Sequence, residues 1–542
     1  MSSIDWIILI VTLTGIIMYG IYKSRTTKNL EGYFLSNRSL PWFLVLLSIM
    51  GTQASAITFL TGPGQAYSDG MRFVQYYFGL PLAMIVISIF FVPVFNRLKV
   101  YTAYEFLENR FDLKTRTLTS FLFLLSRGLS TGISIFAPSI VLSSLMGWNI
   151  YYTNLVMGGL LIIYTMSGGA KAVAHTQKLQ MIIVFVALFI VGYLAVKLLP
   201  DAIGFTDALK KSGELGKMNI ITTGFTEKGF NWQDKYNIWS GLIGGFFLAL
   251  SYFGADHSQV GRYLTAKDMK ESRRGLLMNG LVKVPMQFFI LLLGILIFSF
   301  YQFNKAPVYF DQAKVTIAKE TVYKDSLVAL ETRYDAALAA ADIKASGELR
   351  AQYKTVLQKA LPGQDTNDNN YIFLRFVMDY LPKGLIGLII AIIFLASWGS
   401  IAAALNSLAA VSVVDFHKKF FVKQETERQD YRVSQWYTFG WGVFCIIIAM
   451  FAQNIGNSLI EAVNILGSLF YGVILGIFLV ALGIKFIRGH AVFYAAVVSE
   501  LLVIFIYQQE IVSFLWLNAI GAILVVVLAA LFQLVSKQKA LQ

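Results

Sequence analysis

Apolar runs of about 17–25 residues recur along the whole chain, and a run of that length lets an α-helix cross the hydrocarbon core of a bilayer. Of the 542 residues, 56% are hydrophobic and 14% are charged, against roughly 25% charged in a soluble protein. Because a helix satisfies its own backbone hydrogen bonds in lipid, the pattern predicts an all-α polytopic membrane protein. We expect about 13 transmembrane helices, at 5–23, 42–62, 74–96, 117–146, 151–167, 178–199, 238–260, 276–301, 384–413, 435–454, 458–484, 489–507 and 513–536.

The formal net charge of +14 is divided unevenly between the short loops. Alternate loops place 25 Lys and Arg on one side and 6 on the other, the 6 being Arg72, Lys210, Lys211, Lys217, Lys228 and Lys235. Cytoplasmic loops carry the excess of Lys and Arg, so we expect the N-terminus outside and the C-terminus in the cytoplasm. This distribution indicates an integral plasma membrane protein, of the inner membrane in a bacterium, and argues against nucleic acid as a partner.

One polar segment, 302–382, interrupts the apolar pattern on the expected outer side. Within it, Val315 to Ala341 and Ser346 to Leu361 have helical composition, and Pro362-Gly363 ends the pattern. We predict an external helical hairpin. It is either a tolerated insertion or a cap that binds a protein partner or gates the transport pathway.

Two predicted spans, the second and the seventh, carry polar patches that a helix facing lipid would not have. In transporters built from inverted repeats, helices break at corresponding positions, and the freed carbonyls bind a cation near the midplane. The two spans lie five apart, which fits two five-helix repeats, spans 2–6 and 7–11. The alternative is that the small residues only allow close helix packing. The patches are Gly51, Thr52, Gln53, Ser55 and Thr58 in the second span, and the run from Ser251 to His257 in the seventh.

Six ordered motifs give the chain a family resemblance. They are Leu40-Pro41-Trp42, Ser55-Ala56-Ile57-Thr58-Phe59, Phe136-Ala137-Pro138-Ser139, Gly168-Gly169-Ala170-Lys171-Ala172-Val173, Gln259-Val260-Gly261-Arg262-Tyr263-Leu264 and Leu405-Asn406-Ser407-Leu408-Ala409-Ala410-Val411. With them the chain resembles the sodium/solute symporter family, nearest to its branch of iodide, vitamin, monocarboxylate and sialic acid transporters. The resemblance runs from about residue 5 to 484, except in 302–382, and implies a LeuT-like fold with a 5+5 inverted repeat.

The resemblance also implies a sodium site. Carbonyls at Gly51, Ala54 and Ala396 would form it together with two adjacent hydroxyl residues at positions 399 and 400. Several oxygen ligands suit a hard cation. Gly399 stands where the family usually has Ser, so Ser400 supplies the one hydroxyl of that pair.

A second departure from the family pattern concerns charge near the cation path. The family's Trp-Thr-Asp is His175-Thr176-Gln177 in this chain, so an acid is absent, and Lys178 follows. In one interpretation sodium still binds, with one ligand fewer. In the other, Lys178 substitutes for the cation and exchanges protons. The alternative interpretation of Lys178 is that it only anchors the helix at the cytoplasmic interface.

Polar residues inside the membrane are costly and therefore indicate function. Arg127 and Lys283 outnumber the acid Asp256 in the predicted core, so a carboxylate solute would balance the charge, unless Arg127 forms a salt bridge with Asp256. By resemblance, Lys283 matches a Lys that contacts the substrate in the family's sugar transporters, and Tyr77 stands where those place an acid, which argues against a plain neutral hexose. Tyr252 resembles the family's inner gate aromatic. The predicted solute-binding residues are Gln53, Ser55, Thr58, Phe73, Tyr77, Arg127, Tyr252, Asp256 and Lys283.

These features predict a secondary active transporter that imports a small polar solute by alternating access, with Na⁺ as the coupling ion and no cofactor. Paired carboxylates, His/Cys metal motifs and nucleophile motifs are lacking, so we do not expect an enzyme. Alternatives are a proton-coupled or sodium-independent transporter of a sugar or sugar derivative, and a transporter-like membrane sensor. The expected parts are 1–40 (an extra helix and linker), 41–301 (the first repeat and the start of the second), 302–382 (the insertion), 383–484 (the rest of the second repeat) and 485–542 (two C-terminal helices).

Overall fold

The computed structural model describes residues 1–24, 30–201, 203–340, 342–421, 426–452 and 458–541. Its α-helices are α1 (Ser3–Ser24), α2 (Leu30–Leu35), α3 (Trp42–Gln53), α4 (Ala56–Asp69), α5 (Leu80–Val86), α6 (Val92–Leu98), α7 (Glu105–Arg110), α8 (Leu113–Met146), α9 (Ile150–Lys197), α10 (Phe205–Glu214), α11 (Gly245–Gly254), α12 (His257–Leu264), α13 (Met269–Phe303), α14 (Gln312–Ala318), α15 (Lys324–Ala339), α16 (Ile343–Ala360), α17 (Asn369–Tyr380), α18 (Leu385–Val411), α19 (Glu427–Phe451), α20 (Leu459–Gly483), α21 (Gly489–Gln508) and α22 (Phe514–Leu541). Strands β1 (Phe225–Thr226) and β2 (Gly229–Phe230) pair as an antiparallel hairpin. Short 3-10 segments cover Ser36–Arg38 and Met71–Tyr77, and π-helical segments cover Ile87–Phe91, Ser240–Gly244 and Ser412–Phe421.

The described residues contain 10 helices long and apolar enough to cross a membrane, or 11 when the bent pair α3 and α4 counts as one span. The two remaining predicted spans coincide with shorter apolar helices, Ile150–Met166 and Ser240–Gly254. The first of these belongs to the continuous helix α9, where the sequence predicted two spans separated by a loop. The all-α membrane architecture is therefore confirmed, whereas the count of 13 stays a prediction.

Helix α18 lies at the centre of the bundle and α1 at its edge. In the 18-residue apolar window of the α18 span, 89% of the residues are buried, against 22% in that of α1. Glycines allow the closest approaches around this core. At Gly64, a Cβ would collide with the Asn369 carbonyl at the start of α17, so glycine is what lets α17 pack against α4.

The inserted segment folds as helices with a small hydrophobic core of its own, in which Leu327, Tyr353 and Leu357 are fully buried. The predicted hairpin is present in part. The first predicted helix, Val315 to Ala341, is split into α14 and α15, and the second corresponds to α16. A further helix, α17, which the sequence did not predict, follows and packs Ile372 and Phe373 into the core of the bundle.

Candidate solute and cation site

The second predicted span breaks at Ala54 and Ser55, where α3 and α4 meet at 61°. In a continuous helix the Ser55 N–H would donate to the Gly51 carbonyl, but it donates to the Gln53 carbonyl at 3.2 Å. The Thr58 N–H donates to the Ser55 carbonyl at 3.0 Å, rather than to that of Ala54. The break therefore removes the helical donors of the Gly51 and Ala54 carbonyls, the two that the sequence predicts as cation ligands from this helix.

The seventh predicted span breaks as well, between α11 and α12. The backbone N–H groups of Ala255 and Asp256 both donate to the Ser251 carbonyl, at 2.8 and 3.1 Å. The Asp256 carboxylate caps the next helix by accepting the Ser258 N–H at 2.7 Å. Both polar patches of the sequence thus mark real helix breaks, at matching positions of the two predicted repeats.

Helix α18 brings Gly399 and Ser400 close to the break in the second span. Gln177 on α9 joins the two sides, because its Nε2 donates to Thr52 Oγ1 and to the Gly399 carbonyl, each at 3.2 Å. Its Oε1 accepts the Ser48 hydroxyl at 2.9 Å. The neutral amide serves as a cross-link here, and a carboxylate at this position could not donate to the carbonyl.

The oxygen atoms at this point suit a hard cation. Ser400 Oγ donates its hydrogen to the Ser397 carbonyl at 3.0 Å, which leaves its lone pairs available, and a carbonyl such as that of Ala396 has two lone pairs. Hydroxyl and carbonyl oxygens of this kind are the ligands that a hard cation such as Na⁺ prefers, and Ser400 lines the same cavity as Gln53 and Ser55. In the described part of the chain, no cluster of His, Cys, Asp and Glu offers an alternative metal site.

Two glutamines fill the space that a side chain at position 399 would occupy. A Cβ at Gly399 would lie 2.5 Å from Gln180 Oε1 and 3.2 Å from Gln177 Cγ. The lost serine therefore leaves no hole, because amide side chains of α9 pack directly against the glycine. The effect of restoring a serine depends on whether Gln180 can move.

Lys178 lies away from these oxygens. Its Nζ is 5.8 Å from the centroid of the Phe43 ring, at the start of α3. Phe43 precedes Gly51 by eight residues, or about 12 Å along a helix. This position fits the interfacial anchor and gives no support to Lys178 as a substitute for the cation.

A cavity of about 110 Å³ lies next to the break. Among the described residues that line it, Arg127 is the single charged one. The lining brings together residues that the sequence predicted, namely Gln53, Ser55, Thr58, Tyr77, Arg127, Tyr252 and the cation-site residue Ser400. The freed carbonyls and the cavity therefore both lie at the break between α3 and α4.

Three predicted solute-binding residues do not line this cavity. Phe73 stacks behind Tyr76, with ring centroids 5.4 Å apart. Lys283 is fully buried, and its Nζ lies 5.6 Å from the centroid of the Tyr77 ring, with no hydrogen-bond partner among the described residues. Asp256 is buried in an ion pair with Arg127. All three lie one layer behind the cavity wall.

The salt bridge that the sequence left as an alternative for Arg127 is present. Arg127 Nη2 pairs with Asp256 Oδ2 and also donates to the Tyr471 hydroxyl at 2.7 Å. That hydroxyl donates to Asp256 Oδ2 at 3.0 Å. The guanidinium also lies 5.2 Å from the centroid of the Tyr252 ring, and its Nε has no hydrogen-bond partner among the described residues. Arg127 is thus held on one edge and still has an unused donor.

Sequence reasoning missed several residues of the cavity wall: Thr131 and Ser134 on α8, and Asn464 and Tyr471 on α20. Tyr76, another residue of this wall, donates through its hydroxyl to Asn464 Oδ1 at 3.0 Å. A polar amide inside an apolar helix is costly, and this signal was available in the sequence for Asn464 but was not used. The tyrosines and hydroxyl residues carried no comparable signal.

Comparisons with known proteins agree with this architecture. The model of the sodium:solute symporter family matches residues 33–332 and 349–498. The sodium/sialic acid symporter NanT of Aliivibrio fischeri is 24% identical over 98% of this chain and 93% of its own length. The sodium-dependent multivitamin transporter of Oryctolagus cuniculus is 26% identical over 88% of this chain and 66% of its own length. A solved structure of a Na⁺-coupled sialic acid symporter, in a substrate-bound outward-open state, has a TM-score of 0.79 at 22% identity over 98% of both chains.

The structural similarity confirms the LeuT-like fold that the resemblance implied. The family match covers well over half of the chain, and its members are transporters rather than enzymes. The chain therefore belongs to the sodium:solute symporter family and is an integral membrane transporter with Na⁺ as its coupling ion.

Proposed function

We propose that this symporter imports a small organic acid, with the solute carboxylate bound by Arg127. The observation that carries the proposal is that Arg127 is the one charged side chain among the described residues lining the central cavity. Asp256 and Tyr471 hold one edge of the guanidinium, and its Nε remains without a partner in the described part of the chain. A carboxylate is the ligand that arginine binds best, through charge-assisted hydrogen bonds.

Neutral polar groups around Arg127 would bind the rest of the solute. Gln53 Oε1 and Asn464 Nδ2 are buried without hydrogen-bond partners among the described residues, and Ser55 and Thr58 line the same cavity. These groups suit solute hydroxyls or amides. The names of the similar proteins, a sodium/sialic acid symporter and a multivitamin transporter, agree with a carboxylate-bearing class. Drug-sized ligands need about 300 Å³ or more, so a sugar acid would require this cavity to widen.

Sodium and solute would be coupled through the shared break. We assign Na⁺ to the carbonyls of Gly51, Ala54 and Ala396 and to Ser400, with Gly399 contributing no hydroxyl. Each ligand would stabilise the same local backbone arrangement, so binding of one would favour binding of the other. Lys178 is assigned the role of an interfacial anchor, and Gln177 that of a cross-link between α3 and α18.

The orientation follows from the charge of the loops. With 25 of the 31 basic residues of the short loops on one side, that side is assigned to the cytoplasm, the N-terminus to the outside and the C-terminus to the inside. Residues 41–301 and 383–484 would form the transport core, 302–382 an outer cap, and 1–40 and 485–542 accessory helices. In a bacterium the protein would reside in the inner membrane.

Cysteine labelling tests this orientation. Cys445 is replaced by Ala, and Glu348, exposed on α16, is replaced by Cys. An impermeant maleimide should label this cysteine in intact cells. Labelling that requires permeabilised cells would overturn the orientation and the assignment of 302–382 as an outer cap.

Binding to the purified protein tests the solute class. Thermal shifts are measured for a panel of carboxylates, each paired with its neutral amide analogue, in Na⁺, in K⁺ and in choline. The proposal predicts that at least one acid stabilises the protein in Na⁺ and that its amide does not. If only neutral solutes stabilise the protein, the carboxylate assignment is wrong.

A neutral sugar derivative is the second candidate, and one observation favours it. Asp256 already neutralises Arg127. When Asp256 is counted with the described residues of the cavity wall, their net charge is therefore zero. In that case Arg127 would donate to a neutral polar group of the solute, and the neutral amides of the panel would bind as tightly as the acids.

A further inference from the structure

A second cavity lies between the inserted helices and the ends of the core helices. It has a volume of about 460 Å³ and is separate in its lining from the central cavity. Its walls come from the end of α4, the end of α13, the facing sides of α15 and α16, and the end of α10 with the segment that follows it. The family match omits 333–348, which includes the turn between α15 and α16, so part of this wall lies outside the matched family pattern.

The cavity carries an excess of positive charge. Four basic side chains line it, Lys211, Lys217, Arg350 and Lys354, against one acid, Asp342. Behind the wall, Asp368 accepts Arg350 Nη2 at 2.9 Å and Lys354 Nζ at 2.7 Å, and it also accepts the Phe310 N–H at 2.8 Å. Even when Asp368 is included, four cations face two acids.

Lys217 forms no close contact with a carboxylate of the described residues. Its Nζ donates to the Ser68 carbonyl at 2.6 Å and lies 5.2 Å from the centroid of the Phe298 ring. Burial lowers the pKa of Lys217, and the positive charge of Arg350 lowers it further, against an opposing effect of Asp69. A bound anion would relieve the electrostatic cost of this arrangement.

Aromatic side chains form the remaining walls of this cavity. Tyr67, Phe298, Tyr301 and Tyr334 line it, and the Tyr301 hydroxyl is buried without a hydrogen-bond partner among the described residues. Arg350 also lies over the Tyr67 ring, 5.8 Å from its centroid. Such a surface accepts a flat apolar group by stacking while the cations accept its charge.

We infer that this cavity, lined by Lys211, Lys217 and Arg350 and by a set of aromatic rings, is a second binding site, for an organic carboxylate that carries a ring. The site goes beyond the proposed transport site, and its place on the outer face depends on the proposed orientation. Its walls connect it to the transport pathway. Tyr67 and Ser68 end α4, the outer half of the broken span, and the Ser68 hydroxyl donates to Asn369 Oδ1 of α17 at 2.7 Å.

The test uses the full-length protein in nanodiscs, with benzoate as the probe and benzamide as its neutral analogue. Gly347 lines the cavity, and a Cβ built there meets nothing within 4 Å, so Gly347→Cys in a Cys445→Ala background places a reporter thiol in the cavity. Benzoate should slow maleimide labelling of this thiol, and benzamide should not. Glu348→Cys, exposed on the neighbouring position and outside the lining, is the control whose labelling benzoate should leave unchanged.

The charge assignment is tested by Lys211→Gln combined with Lys217→Gln. This double variant should weaken benzoate protection at least tenfold, whereas Lys210→Gln, at the exposed neighbour of Lys211, should not. Equal protection by benzoate and benzamide, no protection, or equal protection in the double and control variants would overturn the inference.

A variant of the central site separates this inference from the proposed function. The double variant Arg127→Gln/Asp256→Asn removes the charged group of the central cavity and should leave benzoate protection at Gly347→Cys intact. Loss of protection in that variant would mean that benzoate acted from the central site, and the second site would be refuted. Loss of solute binding with benzoate protection retained would leave the inference standing, whatever the transported solute is.

Discussion

The buried pair of Arg127 and Asp256 gives the sharpest test of the solute class, because fold stability and solute binding respond differently to its removal. Arg127→Gln leaves Asp256, which is 1% exposed, without its cation. Breaking one side of a buried pair costs about 3–5 kcal/mol. Asp256 still accepts hydrogen bonds from the Ser258 N–H at 2.7 Å and from the Tyr471 hydroxyl at 3.0 Å. We therefore expect the free energy of unfolding to fall by an amount at the lower end of this range, about 3 kcal/mol.

Removing both charges separates the two roles of the pair. Arg127→Gln/Asp256→Asn leaves no unpaired charge, so its free energy of unfolding should lie within about 1 kcal/mol of the wild type. If Arg127 binds the solute carboxylate, the same double variant should bind the acid more weakly by about 2–5 kcal/mol. Unfolding is measured in detergent with denaturant, and binding by titration of the solute in Na⁺.

A second buried pair provides the matched control. Arg116 and Asp415 are 3% and 0% exposed and form an ion pair outside the lining of the cavity. Arg116→Gln/Asp415→Asn should therefore leave solute affinity unchanged. Wild-type affinity in Arg127→Gln/Asp256→Asn would refute the reasoning and reduce Arg127 to a structural role.

Three further predictions concern the cation site and the cap. Ser400→Ala removes one hydroxyl ligand, so the Na⁺ concentration for half-maximal binding should rise roughly tenfold, which corresponds to a loss of about 1.4 kcal/mol in binding free energy. An unchanged Na⁺ titration would contradict the assignment. Gln180→Ala removes the atom that a Cβ at position 399 would meet at 2.5 Å, so adding Gly399→Ser in that background should supply a hydroxyl ligand and strengthen Na⁺ binding relative to Gln180→Ala alone. No strengthening would contradict the assignment of position 399 to the cation site. In the cap, burial by itself raises the pKa of Asp368, but its basic neighbours outweigh burial and lower that pKa below 3.8. Because the pKa of Asp368 is lower in the folded state, ionised Asp368 stabilises the fold fully above its ordinary pKa, and this effect is lost as the pH falls through the lowered pKa. As the pH falls below about 4, the wild type should therefore lose more stability than Asp368→Asn. Equal losses would contradict this prediction.

The break in the second span could be predicted from the sequence because its cause is local. Gly51, Ser55 and their neighbours are small or polar in the middle of an apolar run, and such residues do not favour an uninterrupted helix in lipid. The seventh span showed the same pattern at a repeat-matched position. The structure adds which carbonyls lose their donors.

The rest of the site depends on contacts between distant parts of the chain. Tyr471 binds Arg127 and Asp256 across 344 and 215 residues, so no local pattern could indicate it. For the same reason the sequence left open whether Arg127 pairs with Asp256. The packing of Gln180 against Gly399 is equally non-local.

The inserted segment shows a limit of composition as a guide to helices. The interruption between α14 and α15 contains neither glycine nor proline, the usual signs of a helix end. Thr321 and Val322 lie there, and β-branched residues lower helix propensity by only tenths of a kcal/mol each, up to about 0.7. The Thr321 hydroxyl donates to the Ala318 carbonyl at 2.7 Å and helps to end α14.

The central claim is that Na⁺ and an organic acid move together through the site at the broken span. The most direct measurement is the uptake of radioactive Na⁺ by proteoliposomes of the purified protein, with and without the acid identified in the binding panel. The acid should stimulate Na⁺ entry, and its neutral amide should not. Uptake of the acid at the same rate with choline in place of Na⁺, or equal stimulation by the amide, would contradict the account.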